Sequence, residues 1–279
     1  MNWRSQAING HVRRYIPQCE WRLDVPASLV GCAIFLFSVL SSNASEISGI
    51  SPADKDAETA SIVQRLVENN KVRADKLPDL TSKRHYHVQY HGFGRTMEAD
   101  MDVEVFDHGS ASRTFHIASQ SGSHVLLDHV LKKLLDSEED AALHKNETGL
   151  TPQNYSFTLI GGANENGRQF FILQVEPKIN RDLLYRGRIW VDATDYAVVR
   201  VEAQPAENPS FWIRSTQIHH VYAKVGDFWL PHHNISESKT RFGGTATLTI
   251  DYGSYTFVGP NAPPTQSAIA SIQSSSPPH

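Results

Sequence analysis

The sequence predicts a mainly β protein of the α+β kind, a curled antiparallel sheet or half-open β-barrel of about ten strands covered by two amphipathic helices. Three observations lead there. Polar and apolar residues alternate at period two in a series of short segments punctuated by Gly, Asn and Asp. Two segments carry helical periodicity instead. No regular strand-helix alternation calls for a parallel sheet.

Helical spacing appears first after Ser51, an N-cap candidate followed by Pro52 at the first helical position and Asp54 in the first turn. Ile62, Val63, Leu66, Val67, Asn70, Ala74 and Leu77 then recur on one face up to Pro78, which gives one amphipathic helix of about five turns. From Lys83 the period becomes two. His85, His87, Gln89 and His91 alternate with Tyr86, Val88 and Tyr90, and Ala99, Met101, Val103 and Val105 alternate with Asp100, Asp102 and Glu104. Phe115 and Ile117 alternate with Thr114 and His116 in a third strand, with turns at Gly92 and Gly94 and at Asp107-His108-Gly109-Ser110.

A second helix, Ser123 to Leu143, interrupts the strands. Leu127, Val130, Leu131, Leu134 and Leu135 form its apolar face, and Asp128, Lys132, Lys133, Asp136, Glu138 and Glu139 lie largely opposite. Tyr155 to Ile160 and Gln169 to Val175 follow, flanking a Gly/Asn-rich hairpin loop over 161–167. Tyr185 to Asp192 and Ala197 to Ala203 form the next hairpin, in a register that sets Ile189 opposite Val201, Val191 opposite Val199 and Arg188 opposite Glu202. Trp212 to Val225, Phe228 to Ser238 and Thr245 to Tyr255 are the last strands, with Gly226-Asp227 and Gly243-Gly244 at their turns. A sheet of this size tends to curl, and two helices over its open side would enclose an apolar cavity.

Composition narrows the function classes. Among 279 residues, 40% hydrophobic content and a net charge of -4 exclude a wholly disordered chain. A mean hydropathy of -0.37 excludes a polytopic membrane protein. With 26 basic against 30 acidic side chains, nothing points to nucleic acid.

Residues 1–44 read as a signal peptide: Arg4, Arg13, Arg14 and Arg22 precede an apolar run from Leu29 to Leu40, then a small-residue cleavage site at Ser42-Asn43-Ala44. That run, about 12 residues, is shorter than the roughly 17–25 that span a bilayer. Cys19 and Cys32 both fall within it or ahead of it, so the remaining chain holds no thiol for a disulfide, a nucleophile or a zinc site. Leu29-Val30-Gly31-Cys32 matches a lipobox, but the apolar core follows the cysteine instead of preceding it. The expectation is therefore an exported, periplasmic protein; a retained leader or a lipidated Cys32 would anchor it to the membrane. Removal of residues 1–44 takes away four Arg with Glu20 and Asp24, which moves the net charge from -4 to -6. The folded domain is expected over 45–258, and the Pro/Ser-rich stretch 259–279 as a disordered tail.

No Gly-x-Ser-x-Gly, His-Glu-x-x-His, Walker or Gly-x-Gly-x-x-Gly motif occurs, so no enzyme and no cofactor is expected. Of the 14 histidines, His85, His87 and His91 share one strand face, and His232 or His233 could join them in a metal site. No Cys, Asp or Glu is interleaved on that face of the strand, so a solvated face is preferred and no metal ligand is assigned. His219 and His220 point to opposite faces, and His124 and Asp128 make at most a local contact. The aromatic group is more informative. Trp190, Phe211, Trp212, Phe228 and Trp229, with Pro209 and Pro231 beside them, either pack in the core and rim or line an apolar ligand cavity. The ligand-site candidates are Leu127, Leu131 and Leu134 on the lid helix and Trp190, Trp212, Phe228 and Trp229 on the sheet.

The blocks Arg186-Gly187-Arg188-Ile189-Trp190-Val191-Asp192, Tyr196-Ala197-Val198-Val199-Arg200-Val201-Glu202 and Gly226-Asp227-Phe228-Trp229-Leu230-Pro231, in this order of leader, helix, strands, helix and strands, resemble the outer-membrane lipoprotein-sorting, or LolA-like, family. The likeness runs over roughly Asp54 to Phe257. It implies a half-open barrel closed by helices, a monomer whose apolar interior holds lipoprotein or other lipid acyl chains, with an envelope membrane protein as a further partner. It implies neither metal nor reaction. The strand around Lys83 and Arg95 departs from the family's pattern, so no binding residue is carried over. The alternatives are an envelope sensor of the same fold that binds a partner protein, and a His-based metal-binding protein.

Overall fold

A computed structural model describes residues 52–143, 145–180, 183–208 and 210–259. The expected leader with its two cysteines, the Ser51 cap, Pro209 and the tail from residue 260 onward lie outside the described residues.

The N-terminal helix, Pro52–Lys76, begins at the proline and carries Asp54 in its first turn and Arg73 and Lys76 in its last, charges that complement the helix dipole. Ten antiparallel strands follow: β1 (Asp79–Gly92), β2 (Arg95–His108), β3 (Ser112–Gly122), β4 (Tyr155–Glu165), β5 (Arg168–Pro177), β6 (Tyr185–Asp192), β7 (Val198–Pro205), β8 (Ile213–Val225), β9 (Phe228–Thr240) and β10 (Thr245–Val258). They form one sheet in the order β3-β2-β1-β10-β9-β8-β7-β6-β5-β4. Every neighbour is sequential except the β1/β10 pair. Strands β3 and β4 remain as edges, so the sheet is open rather than closed into a barrel.

The turns follow from residue chemistry. Phe93 and Gly94 have φ of 51° and 69°, and Asn166 and Gly167 have φ of 53° and 80°, the left-handed pair that a two-residue hairpin requires. The second of these is tighter than expected. The residues of the 161–165 stretch pair with β5 from Gly161↔Ile172 to Glu165↔Arg168, and the irregularity shrinks to a bulge between Leu159 and Gly161. Asn-Gly is sufficient for the turn, which leaves the preceding glycines free to continue the ladder. In the β6/β7 hairpin, Ile189↔Val201 and Arg188↔Glu202 hold, but a bulge after Trp190 pairs Val191 with Val198 instead of Val199.

The second helix is one helical run inserted between β3 and β4. An α stretch at His124–Leu126 passes through a π turn at Leu127–Leu131 into α-helix at Lys132–Leu143. Ser123 occupies the N-cap position with extended backbone. A short helix, Lys145–Thr148, follows.

Each long helix has its own core. Ile62, Val63 and Leu66 of the N-terminal helix pack on Tyr155, Leu173, Val175, Ile189, Val191 and Val201 of β4 to β7. Leu126, Leu127, Leu131 and Leu135 of the inserted helix pack on Tyr86, Val88, Ala99, Met101, Val103, Val105 and Ile250 of β1, β2 and β10. A smaller cluster of Leu80, Val225 and Leu230 bridges the sheet between them. Truncating Leu131, fully buried at the centre of its helix, to Ala is expected to cost about 2–5 kcal/mol, whereas the exposed Val125→Ala should stay within about 0.5 kcal/mol. Urea unfolding of the two variants checks the contrast.

Candidate functional site

Strand β1 presents Leu80, Ser82, Arg84, Tyr86 and Val88 to the helices and Lys83, His85 and His87 to the outside. One position breaks the apolar rule. The Arg84 side chain is 1% exposed, and its Nη1 donates to Glu138 Oε2 of the inserted helix at 2.7 Å. Its Nη2 lies 3.9 Å from Asp107 Oδ2, and its guanidinium sits 4.9 Å over the Tyr252 ring. Arg113 reaches the same Glu138 oxygen at 3.3 Å and also pairs with Asp107, while Tyr86 Oη donates to Glu138 Oε1 at 3.2 Å. Two cations and two carboxylates thus form a neutral quartet between sheet and helix. Burial opposes the charge on Arg84, but Glu138 with Tyr86 and Tyr252 outweighs it and holds the guanidinium protonated. Burial, then Glu138, also pushes the Tyr86 phenol well above its ordinary range.

A bulge in the β1/β10 pair and the inward face of β8 add further polar groups. Two steps along β1, Ser82 to Arg84, match three along β10, so Ser82 faces Tyr255 and Arg84 faces Tyr252. Gly253 makes this possible, since an added Cβ would stand 3.0 Å from the Lys83 carbonyl. In β8, His220 stacks on Tyr222 at 4.5 Å and approaches the Tyr252 ring at 5.9 Å. Ser236 Oγ donates to Asn234 Oδ1 at 3.2 Å, which turns the Asn234 amide so that Nδ2 donates to His220 Nδ1 at 2.9 Å. With the Asn234 amide in this orientation, the neutral His220 ring carries its proton on Nε2. Burial, reinforced by the Arg84 and His233 charges, lowers the His220 pKa to about 4. His220 Nε2, Arg84 Nε and Ser82 Oγ are buried donors without a partner among the described residues.

Beyond Tyr222 lies a cleft of about 310 Å³ between the C-terminal turns of the N-terminal helix and the sheet. Ala74, Leu77, Leu150, Val198, Phe228 and Leu230 supply apolar wall, and Asn70, Arg73 and Trp229 supply polar positions. Arg73 fastens the helix to the β6/β7 turn by donating to the carbonyls of Asp195 at 2.9 Å and Tyr196 at 3.0 Å, with Asn69 Nδ2 also donating to Asp195 O at 3.1 Å. Asp195 in turn accepts from Lys224 at 2.7 Å and from Trp229 Nε1 at 2.9 Å.

The sequence-derived candidates separate accordingly. Phe228 and Trp229 line the cleft. Leu127 and Leu131 are buried in the core beneath the inserted helix, with Leu134 packed at its margin. The cleft wall is the N-terminal helix, not the inserted helix expected to act as the lid. Trp190 faces away from the helices, because Ile189 and Val191 on either side point inward; Arg200 at 4.1 Å and Arg188 at 5.6 Å cover its ring. Trp212 precedes the first residue of β8 and is 62% exposed. Sequence reasoning missed Arg84, His220, Tyr222 and Tyr252. The available signal was parity, since Arg84 occupies an inward phase between Leu80 and Val88.

On the outer face the neighbouring strands supply the acids that β1 lacks. His85 Nδ1 lies 2.8 Å from Asp102, His87 Nδ1 2.8 Å from Asp100, and His233 Nδ1 2.7 Å from Asp251. The Asp102 hydrogen bond raises the His85 pKa. His85 Nε2 also lies 3.4 Å from Asp100, which links the first two pairs into a chain, yet no group of three or more His, Cys, Asp or Glu among the described residues is arranged to hold a metal ion. Asp128 accepts from Lys132 at 2.7 Å, an i,i+4 helix pair.

Two outcomes follow for stability. Glu138→Gln leaves Arg84 buried against a neutral partner and is expected to cost about 3 kcal/mol or more; the double variant Arg84→Met/Glu138→Leu, which removes both charges, should lose less than that single change. Urea titrations of all three test it. The depressed His220 pKa means that below the unfolded value of about 6.5 the unfolded chain binds a proton the folded chain refuses, so stability falls as pH drops towards 4, by about 3 kcal/mol in total from this group. His220→Gln should flatten that slope between those limits, read from unfolding midpoints across pH.

No family model matches the chain, and no curated protein matches it. Among solved structures it is similar to a LolA superfamily protein from Nitrosomonas europaea, at 11% identity and a TM-score of 0.39 over 72% of this chain and 94% of that one. It is similar to a DUF1329 family protein from Desulfovibrio piger, at 11% identity and a TM-score of 0.39 over 71% and 92%. It also aligns with a chain of the Pseudomonas aeruginosa MucA/MucB complex, at 12% identity and a TM-score of 0.23 over 70% and 94%. The first of these belongs to the group that the C-terminal sequence blocks resemble.

Proposed function

We propose that this chain is a non-enzymatic envelope protein that binds an acyl-bearing amphiphile, a lipid or the lipid moiety of a lipoprotein, in the cleft beside its N-terminal helix. The observation that carries this reading is the change in character along the concave face. Apolar wall from Ala74, Leu77, Phe228 and Leu230 gives way, across Tyr222, to a zone where His220 Nε2, Arg84 Nε and Ser82 Oγ are unpaired donors. An amphiphile matches both ends: its chain takes the apolar wall, and an ester, carboxylate or phosphate oxygen accepts from the donors. Each methylene buried contributes about 0.8 kcal/mol. At about 310 Å³ the cleft is near the lower end of the roughly 300–1,000 Å³ typical of ligand sites, so a long chain fits only when the wall moves. The wall suits such movement, because Arg73 and Asn69 hold it through hydrogen bonds that water can replace.

A fluorescent long-chain fatty acid is expected to bind the purified protein, and Ala74→Trp or Leu230→Trp, by filling the cleft, to weaken it about tenfold for every two methylenes displaced. Circular dichroism confirms that the variants fold. Unchanged affinity in both, or a purified protein that neither carries extractable lipid in native mass spectrometry nor takes up the probe, would overturn the reading.

A further inference from the structure

The sequence offered Trp212 as core, rim or cavity lining, and the structure places it on an exposed rim, in company. Trp212 is 62% exposed, Phe211 69%, Phe242 57% and Phe93 75%. They stand on three connections at one end of the sheet. The Trp212 ring lies 5.7 Å from Phe211 and 5.3 Å from Phe242, and Trp212 O accepts from Arg241 N at 2.9 Å. The β1/β2 turn that carries Phe93 joins the same end, because His91 pairs with Thr245 and Tyr90 Oη donates to Gly243 O at 3.3 Å.

The charge around these rings departs from that of the whole chain. Residues 92–95, 210–214 and 239–244 contain Arg95, Arg214, Lys239 and Arg241 and no acid, in a chain whose net charge is -4. All four cations are exposed. Arg241 lies 5.1 Å over the Phe211 ring, so cation and aromatic surface are presented together.

Exposed aromatics of this extent mark a contact surface, and three occupants are conceivable. A second copy joined by a two-fold axis would bring the patch against itself, four cations facing four cations. A globular partner needs a shape to match, whereas these rings project from separate hairpin ends. A bilayer needs no such match: Trp and Phe settle at the headgroup boundary and Arg and Lys meet anionic headgroups. We infer that the rim formed by Phe93, Phe211, Trp212 and Phe242, with its four cations, docks this protein on the surface of an anionic phospholipid bilayer. None of these residues lines the cleft, so the inference stands apart from the ligand proposed there.

The test is flotation of the full chain with vesicles of phosphatidylcholine alone and of phosphatidylcholine with added phosphatidylglycerol. Stronger binding to the anionic vesicles, weakened by salt, is expected. Lys239→Gln/Arg241→Gln should weaken it about thirtyfold at low salt, and Phe211→Ser/Trp212→Ser by about tenfold or more. Because every variant keeps residues 1–51, any membrane affinity there is common to all. Trp212→Phe adds a readout specific to the rim: it should bind as the parent does but show a smaller blue shift in tryptophan emission on vesicle addition, the remainder coming from the other four tryptophans. Equal binding to both vesicle types, no binding to either, or a blue shift as large in Trp212→Phe as in the parent overturns the proposal. So does a concentration-dependent dimer, or capture of a protein partner, that the Phe211→Ser/Trp212→Ser variant abolishes while vesicle binding is unchanged.

Discussion

The pairing of β1 with β10 is the constraint on which the rest of the structure depends. These strands are separated by more than 150 residues, yet twelve register partners join them, from Asp79↔Val258 to His91↔Thr245. All other neighbours in the sheet are consecutive in the chain and need only hairpin connections, while the helical insertion joins the two edge strands β3 and β4. Without the β1/β10 ladder there would be a three-stranded meander with one helix and a seven-stranded meander with the other. The ladder makes them one sheet and sets Arg84 against Tyr252, the contact from which the polar zone extends. Its closure cost is that of ordering a long loop, which rises only slowly with length; an extensive ladder is what makes it worthwhile.

The inserted helix illustrates how a charged quartet acts alongside an apolar core. Leucines at 126, 127, 131 and 135 supply the burial, and burial is non-directional. A greasy helix face on a greasy sheet can slide by a turn at small cost. Glu138, received by both Arg84 and Arg113, admits only one position along the helix axis. The quartet is neutral as a whole, and removing one member exposes the remaining three to the desolvation cost that the pairing offsets. The N-terminal helix is held differently. Its apolar contacts lie towards the β4 to β7 side, and its last turns, which wall the cleft, are fastened by hydrogen bonds to the Asp195 and Tyr196 carbonyls. One helix is locked by charge, and the other ends in contacts that water can replace.

Period-two alternation made each of the ten strands legible, since Val103 and Val105 or Ile189 and Val201 must share a buried face wherever the strand lies. The limits of that reading are equally physical. A bulge shifts parity by one, and two features depended on bulges: the Val191↔Val198 pair and the inward placement of both Tyr252 and Tyr255. Trp190 was read as core, rim or cavity lining; it is buried, but on the face opposite Ile189 and Val191, where Arg188 and Arg200 cover it. Cross-strand chemistry was invisible for another reason. The acids facing His85 and His87 come from β2, and the carboxylate facing Arg84 comes from a helix more than 50 residues away.

The two kinds of aromatic surface belong to one physical problem. A protein that shelters an acyl chain must desolvate it inside and must also meet the membrane from which the chain comes or to which it goes. Phe228, Tyr222 and Trp229 are folded against the cleft, where their rings offer apolar contact while Trp229 Nε1 keeps its partner in Asp195. Phe93, Phe211, Trp212 and Phe242 sit at the strand ends and are exposed, where such surface would otherwise invite aggregation. The cations interspersed among them discourage self-contact and favour an anionic surface, so the same residues limit one association while promoting the other. On the proposed reading, transfer of a chain between the two surfaces requires only that the last turns of the N-terminal helix release the Asp195 and Tyr196 carbonyls. That exchanges a few protein hydrogen bonds for bonds to water, at a net cost of about 1 kcal/mol each. Movement of the inserted helix would instead strand Arg84 in the interior, which makes the N-terminal helix the less costly gate.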